Sequence, residues 1–350
     1  MHKIKRCLLL FLFLSTSGCS IFHATLVKEN SKAGKFEDVI NQLSAQVNKK
    51  GIDKLKICIG QNTYKETDMG SEFSEYLSEE LSIAIVKSDI LKEISRKELD
   101  QILREQKLSL SGLIDNTEDF EVGKIQSIDA ILTGTYWEEE NDVKVNLSLI
   151  KVITGEKLAA VSFVISENEI PNGVNLLPKN YSNYYTSSKI WGENKGTSKD
   201  LKVRVWVDKG NGSVYKNGEN VTIFFMSDKN CYLRLYHTNV EGEIQLLFPN
   251  YYSRSDYIQA KQLYSIPNDE MAFEFKIVPP FGVEIINAVV STKPFPIENF
   301  STSEEQVFYP LGKVTENNLR LLISRGIAIV PINMRTEDTC VFTTIEKLRQ

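Results

Sequence analysis

The sequence has few of the residues on which metal sites depend. It contains 3 His and 5 Cys in 350 residues, with no Cys-x-x-Cys or His-x-x-His pair. His23 lies near the amino terminus, and His237 ends a predicted strand, so neither occurs in a pattern of metal ligands. The sequence therefore predicts no metal site and no cofactor.

Motifs for phosphate binding and nucleophilic catalysis are also absent. No Gly-x-x-x-x-Gly-Lys-Ser/Thr or Gly-x-Gly-x-x-Gly sequence follows a strand pattern, and Lys209–Gly212 has the composition of a turn. No nucleophile elbow accompanies His237. The acidic run Glu138–Glu140 falls in a predicted hairpin loop, where solvated charges are expected. We therefore predict that the chain is not an enzyme and has no catalytic residues.

Charge and hydropathy exclude nucleic-acid binding and transmembrane helices. The formal net charge is −5, with acidic and basic residues interspersed, whereas a nucleic-acid surface needs a basic stripe. Beyond residue 19 no run of 18 or more apolar residues occurs, so no transmembrane helix is predicted. The hydrophobic content of 42% is ordinary for globular proteins, and the length suffices for two domains.

The amino terminus has the pattern of an export signal. Basic residues occur within positions 3–6, and the apolar stretch 7–14 that follows is too short to span a bilayer. Small residues then lead directly into Cys19. This pattern resembles the lipobox of bacterial lipoproteins, although Thr16 stands where that family prefers Leu.

The lipobox resemblance implies removal of a signal peptide, residues 1–18, and lipidation of Cys19 with acyl chains such as palmitate. Several acyl chains on one residue give a stable anchor, because each buried CH₂ adds about 0.8 kcal/mol. Ser20 replaces the Asp that retains lipoproteins at the inner membrane in the best-known bacteria, so the resemblance implies the periplasmic face of the outer membrane. Residues 19–34 lack periodicity and are predicted to form a tether.

Three cysteines remain once the signal and the lipidated residue are set aside, and an odd number cannot all pair internally. Cys58 lies in an apolar strand pattern and is expected to behave as a small hydrophobic residue. Cys231 and Cys340 both belong to the second half of the chain. They either form a disulfide or remain two separate buried thiols.

Residues 35–168 mix helical and strand periodicity, which indicates a compact α/β domain. Apolar residues at helical spacing predict one helix from Phe36 to Val47 and another over Ser71–Lys87. The other predicted elements are a strand over 54–60, a capping-box helix from Ser95, a helix over 117–125, a strand over 130–134, and a hairpin of 143–149 with 157–165.

Beyond this domain the composition changes twice. Residues 169–199 are rich in Pro, Asn, Tyr, Ser and Gly and are predicted to be a linker. Residues 200–350 contain short strand patterns separated by turn residues, with one helix predicted over Glu316–Arg325. The fold class predicted for the whole chain is α+β in two domains, an amino-terminal α/β sandwich and a carboxy-terminal, mainly-β sandwich.

Motifs in the first domain resemble a known family. Ile94–Leu108 (ISRKELDQILREQKL) resembles the core signature of the FlgO-like domain, which is related to the CsgG, LpoB and TolB amino-terminal domains of bacterial envelope lipoproteins. Further matches are Ser111–Asp115, Gly123–Ile125, Asp129–Tyr136 (DAILTGTY) and the hairpin 145–165. The resemblance covers most of residues 36–166. It implies scaffold residues rather than an active site.

Gly134 in this region is expected to let its strand pass closely under its neighbour. Pore formation by CsgG itself is not implied, because no pair of amphipathic insertions is present.

The second half carries motifs of another family. These are Val205–Gly210 (VWVDKG), Gly218-Glu219, Leu247–Asn250 (LFPN) and Pro280–Gly282 (PFG). Together they resemble a widespread domain of unknown function in bacterial exported proteins, over residues 201–346. The resemblance implies a β-rich fold and no particular chemistry.

An aromatic cluster in this half is the candidate binding patch: Phe248, Tyr251, Tyr252, Arg254 and Tyr257. Tyr and Arg are enriched at protein-binding hot spots, and aromatic faces also stack on sugars. The cluster is either a surface for a partner or glycan, or a set of loop aromatics that fold back onto the sandwich.

The function predicted from the sequence is that of a non-catalytic, lipid-anchored envelope lipoprotein. It would act as an assembly, scaffolding or regulatory factor through protein contacts in the periplasm, including self-association. The resemblances imply two alternatives, a subunit of an oligomeric ring in a flagellar or curli-type secretion machine and an activator of a peptidoglycan synthase. The aromatic cluster adds a third, a glycan-binding module.

Overall fold

The structure is a computed structural model of the chain. Neither the signal peptide nor Cys19 is among the residues that it describes, and the motifs between residues 95 and 127 and most of the helix predicted over Glu316–Arg325 also lie outside them. Within the described part, no helix is long and apolar enough to cross a membrane. The described residues are 32–67, 69–94, 128–193, 195–296, 302–315, 317–318 and 330–347.

In the residues that the structure describes, the amino-terminal domain is a five-stranded sheet with two helices. Its elements in chain order are α1 (Lys32–Lys49), β1 (Leu55–Tyr64), α2 (Glu72–Val86), β2 (Leu91–Glu93), β3 (Ala130–Glu139), β4 (Asp142–Lys151) and β5 (Lys157–Ser166). The strand order is β2-β1-β3-β4-β5, in which β2 and β3 run parallel to β1 and the two hairpins are antiparallel. The predicted α/β architecture is confirmed.

Local signals account for both helices. Ser71 caps α2, since its hydroxyl accepts a hydrogen bond from the Phe73 amide at 3.1 Å while Ser74 Oγ accepts one from the Ser71 amide at 2.9 Å. The predicted apolar stripe of α2 is buried in the core between helices and sheet. α1 begins at Lys32, inside the segment predicted to be tether.

Tyr136 joins α2 to the sheet. Its hydroxyl lies 2.6 Å from Ser71 Oγ and 3.0 Å from Ser74 Oγ, and it donates to the Leu176 carbonyl at 3.2 Å. Burial raises the pKa of Tyr136 to about 12, against the opposing hydrogen bonds of the two serines. The neutral phenol is therefore the form that the folded domain holds.

The free energy of unfolding should fall as the pH rises above about 10. The unfolded state releases the Tyr136 proton near that pH, whereas the folded state keeps it until about 12, so the folded state binds more protons in this window. The resulting loss at pH 11 is about 1.4 kcal/mol. Denaturant unfolding at pH 9 and pH 11 should show a loss that is greater in the wild type than in Tyr136→Phe by this amount, since Tyr215, whose pKa burial also raises, contributes to both proteins. Equal losses in the two proteins would refute the assignment.

The carboxy-terminal half is built from short strands, as predicted. They are β6 (Val203–Val207), β7 (Val214–Lys216), β8 (Asn220–Val221), β9 (Ile223–Ser227), β10 (Cys231–Thr238), β11 (Glu243–Phe248), β12 (Tyr257–Ile258), β13 (Tyr264–Ile266), β14 (Phe275–Lys276), β15 (Val283–Ser291), β16 (Tyr309–Lys313) and β17 (Arg335–Ile345).

Two of the sheets share one apolar core. The larger has the order β16-β11-β10-β15-β17-β7, with β12 added beside β10, and the smaller has the order β13-β9-β6. Leu235 and Ile286 of the larger sheet belong to the same buried cluster as Val205 and Phe225 of the smaller one. The prediction of a β-rich second domain is confirmed.

The segment predicted to be a linker is packed onto the molecule. Part of it forms the helix α3 (Tyr181–Glu193), which buries Ser187, Ile190 and Trp191. The Trp191 ring lies 5.6 Å from that of Tyr236 in β10. The polar composition of α3 hides its short apolar face, which is why the sequence alone indicated a linker.

The two domains meet at an apolar contact, which we call the seam. Met69, just before α2, is fully buried in a cluster with Val283, Ile285 and Val341 of the second domain. The next residue, Gly70, accepts a hydrogen bond through its carbonyl from Thr343 Oγ1 at 2.7 Å. Backbone and side chain thus both join the domains.

Polar contacts flank this apolar centre. Lys216 Nζ of β7 lies 2.5 Å from Glu75 Oε1 and 2.9 Å from Glu79 Oε1, both on α2. Burial by itself lowers the pKa of Lys216, but its hydrogen bonds to the two glutamates and their charges together raise it above the ordinary value. Gln61 Nε2 of β1 donates to the Lys209 carbonyl at 2.7 Å. The seam is therefore held by apolar, ionic and hydrogen-bonded contacts.

Candidate functional site

The aromatic residues predicted as a binding patch divide between core and surface. Phe248 is only 4% exposed, and its ring lies 5.3 Å from that of Phe225 inside the second domain. Tyr257 is 46% exposed and lies 5.2 Å from Tyr232, across the pairing of β12 with β10. Phe248 is thus a core residue and does not belong to the binding patch.

The structure brings Tyr251, Tyr252 and Arg254 together with two aromatics from elsewhere, whereas Tyr257 packs on Tyr232 and does not join them. The Tyr252 ring lies 5.3 Å from Tyr251 and 6.2 Å from Phe273, which lies 5.5 Å from Phe308. The exposed guanidinium of Arg254 lies 5.8 Å from the centre of the Tyr251 ring. We call these five residues the aromatic surface.

Asn250 positions the loop that carries this surface. Its Oδ1 accepts hydrogen bonds from the amides of Tyr252 and Ser253, both at 2.9 Å, and its Nδ2 donates to the Leu247 carbonyl at 2.9 Å. This is the turn chemistry for which Asn is favoured, here in a side chain that is 2% exposed. The tyrosines are therefore presented by a locally fixed loop.

Phe273 and Phe308 were not identified from the sequence. They come from segments that are distant from the Tyr251 loop along the chain, so no local pattern links them to it. The available signal was the alternation of Phe273, Glu274 and Phe275, because both phenylalanines lie against Phe308, at 5.5 and 5.6 Å.

A buried charge stabilises the end of the same loop. Arg234 of β10 is 3% exposed, donates from Nη2 to the Pro296 carbonyl at 2.7 Å, and stacks 4.9 Å from the Phe295 ring. Burial raises the pKa of Asp256, and the charge of Arg234 opposes this rise. The charge of Arg234 thus acts on the carboxylate that ends the loop.

The cysteines of the second domain are buried thiols and do not form the disulfide considered from the sequence. Cys340 is paired in register with Ile286, which in turn is paired with His237, six residues from Cys231 along β10. That offset corresponds to about 20 Å, whereas a disulfide needs Cα atoms within about 7 Å. Burial raises the pKa of Cys231 to about 11, so its thiol is protonated at neutral pH.

His237 forms a pair with Glu284 of β15, with 2.5 Å between Nε2 and Oε2. In the part of the chain that the structure describes, no group of three or more His, Cys, Asp or Glu side chains could hold a metal ion. His23 lies outside that part.

A shallow polar groove of about 480 Å³ lies on the sheet of the first domain, beside the 209–212 turn of the second. Its lining offers neutral hydrogen-bonding groups with one lysine, Lys157. The other polar side chains along it are Gln61, Thr63, Thr133, Thr135, Asn146, Ser148 and Asn211.

Solved structures of bacterial lipoproteins resemble this chain at low identity. The LpoB C-terminal domain from Salmonella enterica is 14% identical, with 37% of this chain and 98% of that one covered and a TM-score of 0.25. The LpoB C-terminal domain from Escherichia coli is 16% identical, with 37% of this chain and 98% of that one covered and a TM-score of 0.26. Lipoprotein GNA1162 from Neisseria meningitidis is 15% identical, with 34% of this chain and 86% of that one covered and a TM-score of 0.22. No functional conclusion follows from likenesses at these TM-scores. No curated protein matches the chain significantly.

Family models match both halves of the chain. Residues 52–138 match the curli production assembly/transport component CsgG, a relative of the FlgO-like domain to which the sequence motifs pointed. Residues 214–294 match a domain of unknown function, DUF4384, which confirms the expectation for the second half. The chain therefore joins a CsgG-like α/β domain to a β-rich domain that matches DUF4384 over residues 214–294.

Proposed function

We propose that this chain is an envelope lipoprotein, anchored by lipid on Cys19, that acts through protein contacts and not through catalysis. The lipobox pattern supports the anchor, and Ser20 supports the periplasmic face of the outer membrane. The matched family is described by its part in curli assembly and transport, which is a role of protein contacts.

The aromatic surface is the observation that carries this proposal. Tyr251, Tyr252, Phe273 and Phe308 form a continuous set of half-buried rings with the exposed Arg254 at its margin. Interface hot spots have this composition, because Tyr and Arg combine apolar contact area with directional polar groups. A fixed loop presents them, so little conformational entropy is lost on binding.

Truncating this surface should remove the partner without unfolding the chain. In crosslinked envelopes, the amount of partner that co-purifies with the double variant Tyr251→Ala with Arg254→Ala should be at least about tenfold lower than with the wild type. The reason is that truncation of a hot spot costs about 2 kcal/mol or more. Tyr185→Ala is the matched control, because Tyr185 is 62% exposed on α3, outside the aromatic surface. Equal recovery in the double variant and the control would contradict the proposal.

A glycan is the second candidate ligand, because the faces of clustered aromatic rings can stack on sugars. Sedimentation of the purified chain with peptidoglycan distinguishes the two. If the wild type pellets with peptidoglycan and the double variant does not, the aromatic surface binds glycan. If both proteins pellet equally, the aromatic surface does not bind glycan and is the site for a protein partner.

A further inference from the structure

The edge strand of the first domain has the features of a strand-pairing surface. Among the described strands of the first domain, β5 lies at the end of the order and, after Lys157, contains no charged residue up to Ser166. Edge strands of this length normally carry charges or prolines that prevent another strand from adding. β5 therefore needs another form of protection.

Gln46 of α1 provides it. Its Nε2 donates to the Ala160 carbonyl at 2.8 Å, and its Oε1 accepts from the Ala160 amide at 3.1 Å. The side-chain amide thus makes both bonds that a peptide group of a neighbouring strand would make. It also follows that the backbone groups of Ala160 point away from β4.

Strand alternation extends this conclusion along β5. Backbone groups at every second residue share one direction, so those of Ser162 and Val164 also point outward. The Ser166 amide does so as well, since it donates to Glu169 Oε2 at 3.1 Å. Among the described residues, the outward groups of Ser162 and Val164 have no partner. Both residues are exposed, Val164 by 39%.

We propose that the β5 edge is a pairing surface for a second copy of this chain, and that Gln46 shortens this surface by occupying Ala160. A two-fold axis at Phe163 would place Ser162 of each copy opposite Val164 of the other. Each of these two pairs would form two backbone hydrogen bonds, four in all, and no charged side chain would lie in the contact. A second copy fits because the open groups are symmetric about Phe163. Releasing Gln46 would add Ala160 to this short ladder. This inference is independent of the aromatic surface.

Disulfide trapping in membranes that contain the full chain tests the proposal. One copy carries Ser162→Cys and a co-produced copy carries Val164→Cys, since hydrogen-bonded pairs have Cα atoms about 5.5 Å apart and suit a disulfide. Cys58, Cys231 and Cys340 are buried and should not react. Gln46→Met keeps the length and helix propensity of the side chain but loses both hydrogen bonds.

With Gln46→Met in both copies, oxidation should trap about tenfold more dimer than in the wild type, the factor expected from one or two additional net hydrogen bonds. Gln42→Met, at an exposed position one turn earlier in α1, should give the wild-type yield. Equal yields for Gln46→Met and Gln42→Met, with both proteins folded by circular dichroism, would overturn the proposal. The same comparison with Gln46→Ala guards against an effect of the methionine itself.

Discussion

Replacing Gly70 by valine should separate the two domains. A Cβ at this position would lie 2.7 Å from the Gly212 carbonyl oxygen and 2.7 Å from Val214 Cγ2, both in the second domain. The first of these is a backbone atom that cannot turn aside, so the domains must move apart. Met69 and the ion pairs of Lys216 would then be exposed to water, which should lower the free energy of unfolding by about 3 kcal/mol or more.

Small-angle scattering and calorimetry measure this separation. The variant should have a larger radius of gyration than the wild type and two thermal transitions, whereas the wild type should have one. Gly192→Ala is the control, because no atom lies within 4 Å of its added Cβ on α3. An unchanged radius with a single transition in Gly70→Val would show that the seam does not hold the domains together.

Gly134→Ala should destabilise the first domain by about 3 kcal/mol, near the upper end for overpacking. The added methyl group would lie 2.6 Å from Leu147 Cδ2, 2.7 Å from the Asn146 carbonyl oxygen and 2.8 Å from Asn62 Oδ1. Side chain and backbone of two neighbouring strands therefore confine it. These distances agree with the close strand approach expected from the sequence.

Urea unfolding at neutral pH measures this effect. Gly134→Ala should shift the midpoint to lower urea with little change in slope, while Gly192→Ala should leave the midpoint at or slightly above its wild-type value, since alanine is the better helix former. A midpoint for Gly134→Ala within error of the wild type would mean that β1 and β4 yield to the methyl group at little cost.

Local patterns account for what could be predicted of the fold. The helix expected over Ser71–Lys87 is found at Glu72–Val86, because a four-residue apolar stripe and a serine cap are sufficient to define it. The seam could not be predicted. Met69 is a single apolar residue beside a glycine, and its burial depends on Val283 and Val341, which are more than 200 residues away in the chain.

The aromatic surface shows the same limit. Tyr251, Tyr252 and Arg254 are contiguous and were identified, while Phe273 and Phe308 join them only through tertiary packing. Phe248 was assigned to the wrong environment for a reason visible in its strand. A register shift in β11 places Phe248 opposite Leu235, in the core between the two sheets, whereas Ile244 and Leu246 belong to a different buried cluster. Simple alternation along the strand therefore does not predict its burial.

The close approach at Gly70 also bears on how this combination of domains can evolve. Because the missing side chain of Gly70 makes room for Gly212 and Val214, the three positions should constrain one another, although they lie in different domains. A DUF4384 domain transplanted from another protein would need a matching turn at this place, as would a transplanted CsgG-like domain. Recombination between relatives should therefore be tolerated within either half more readily than between the two.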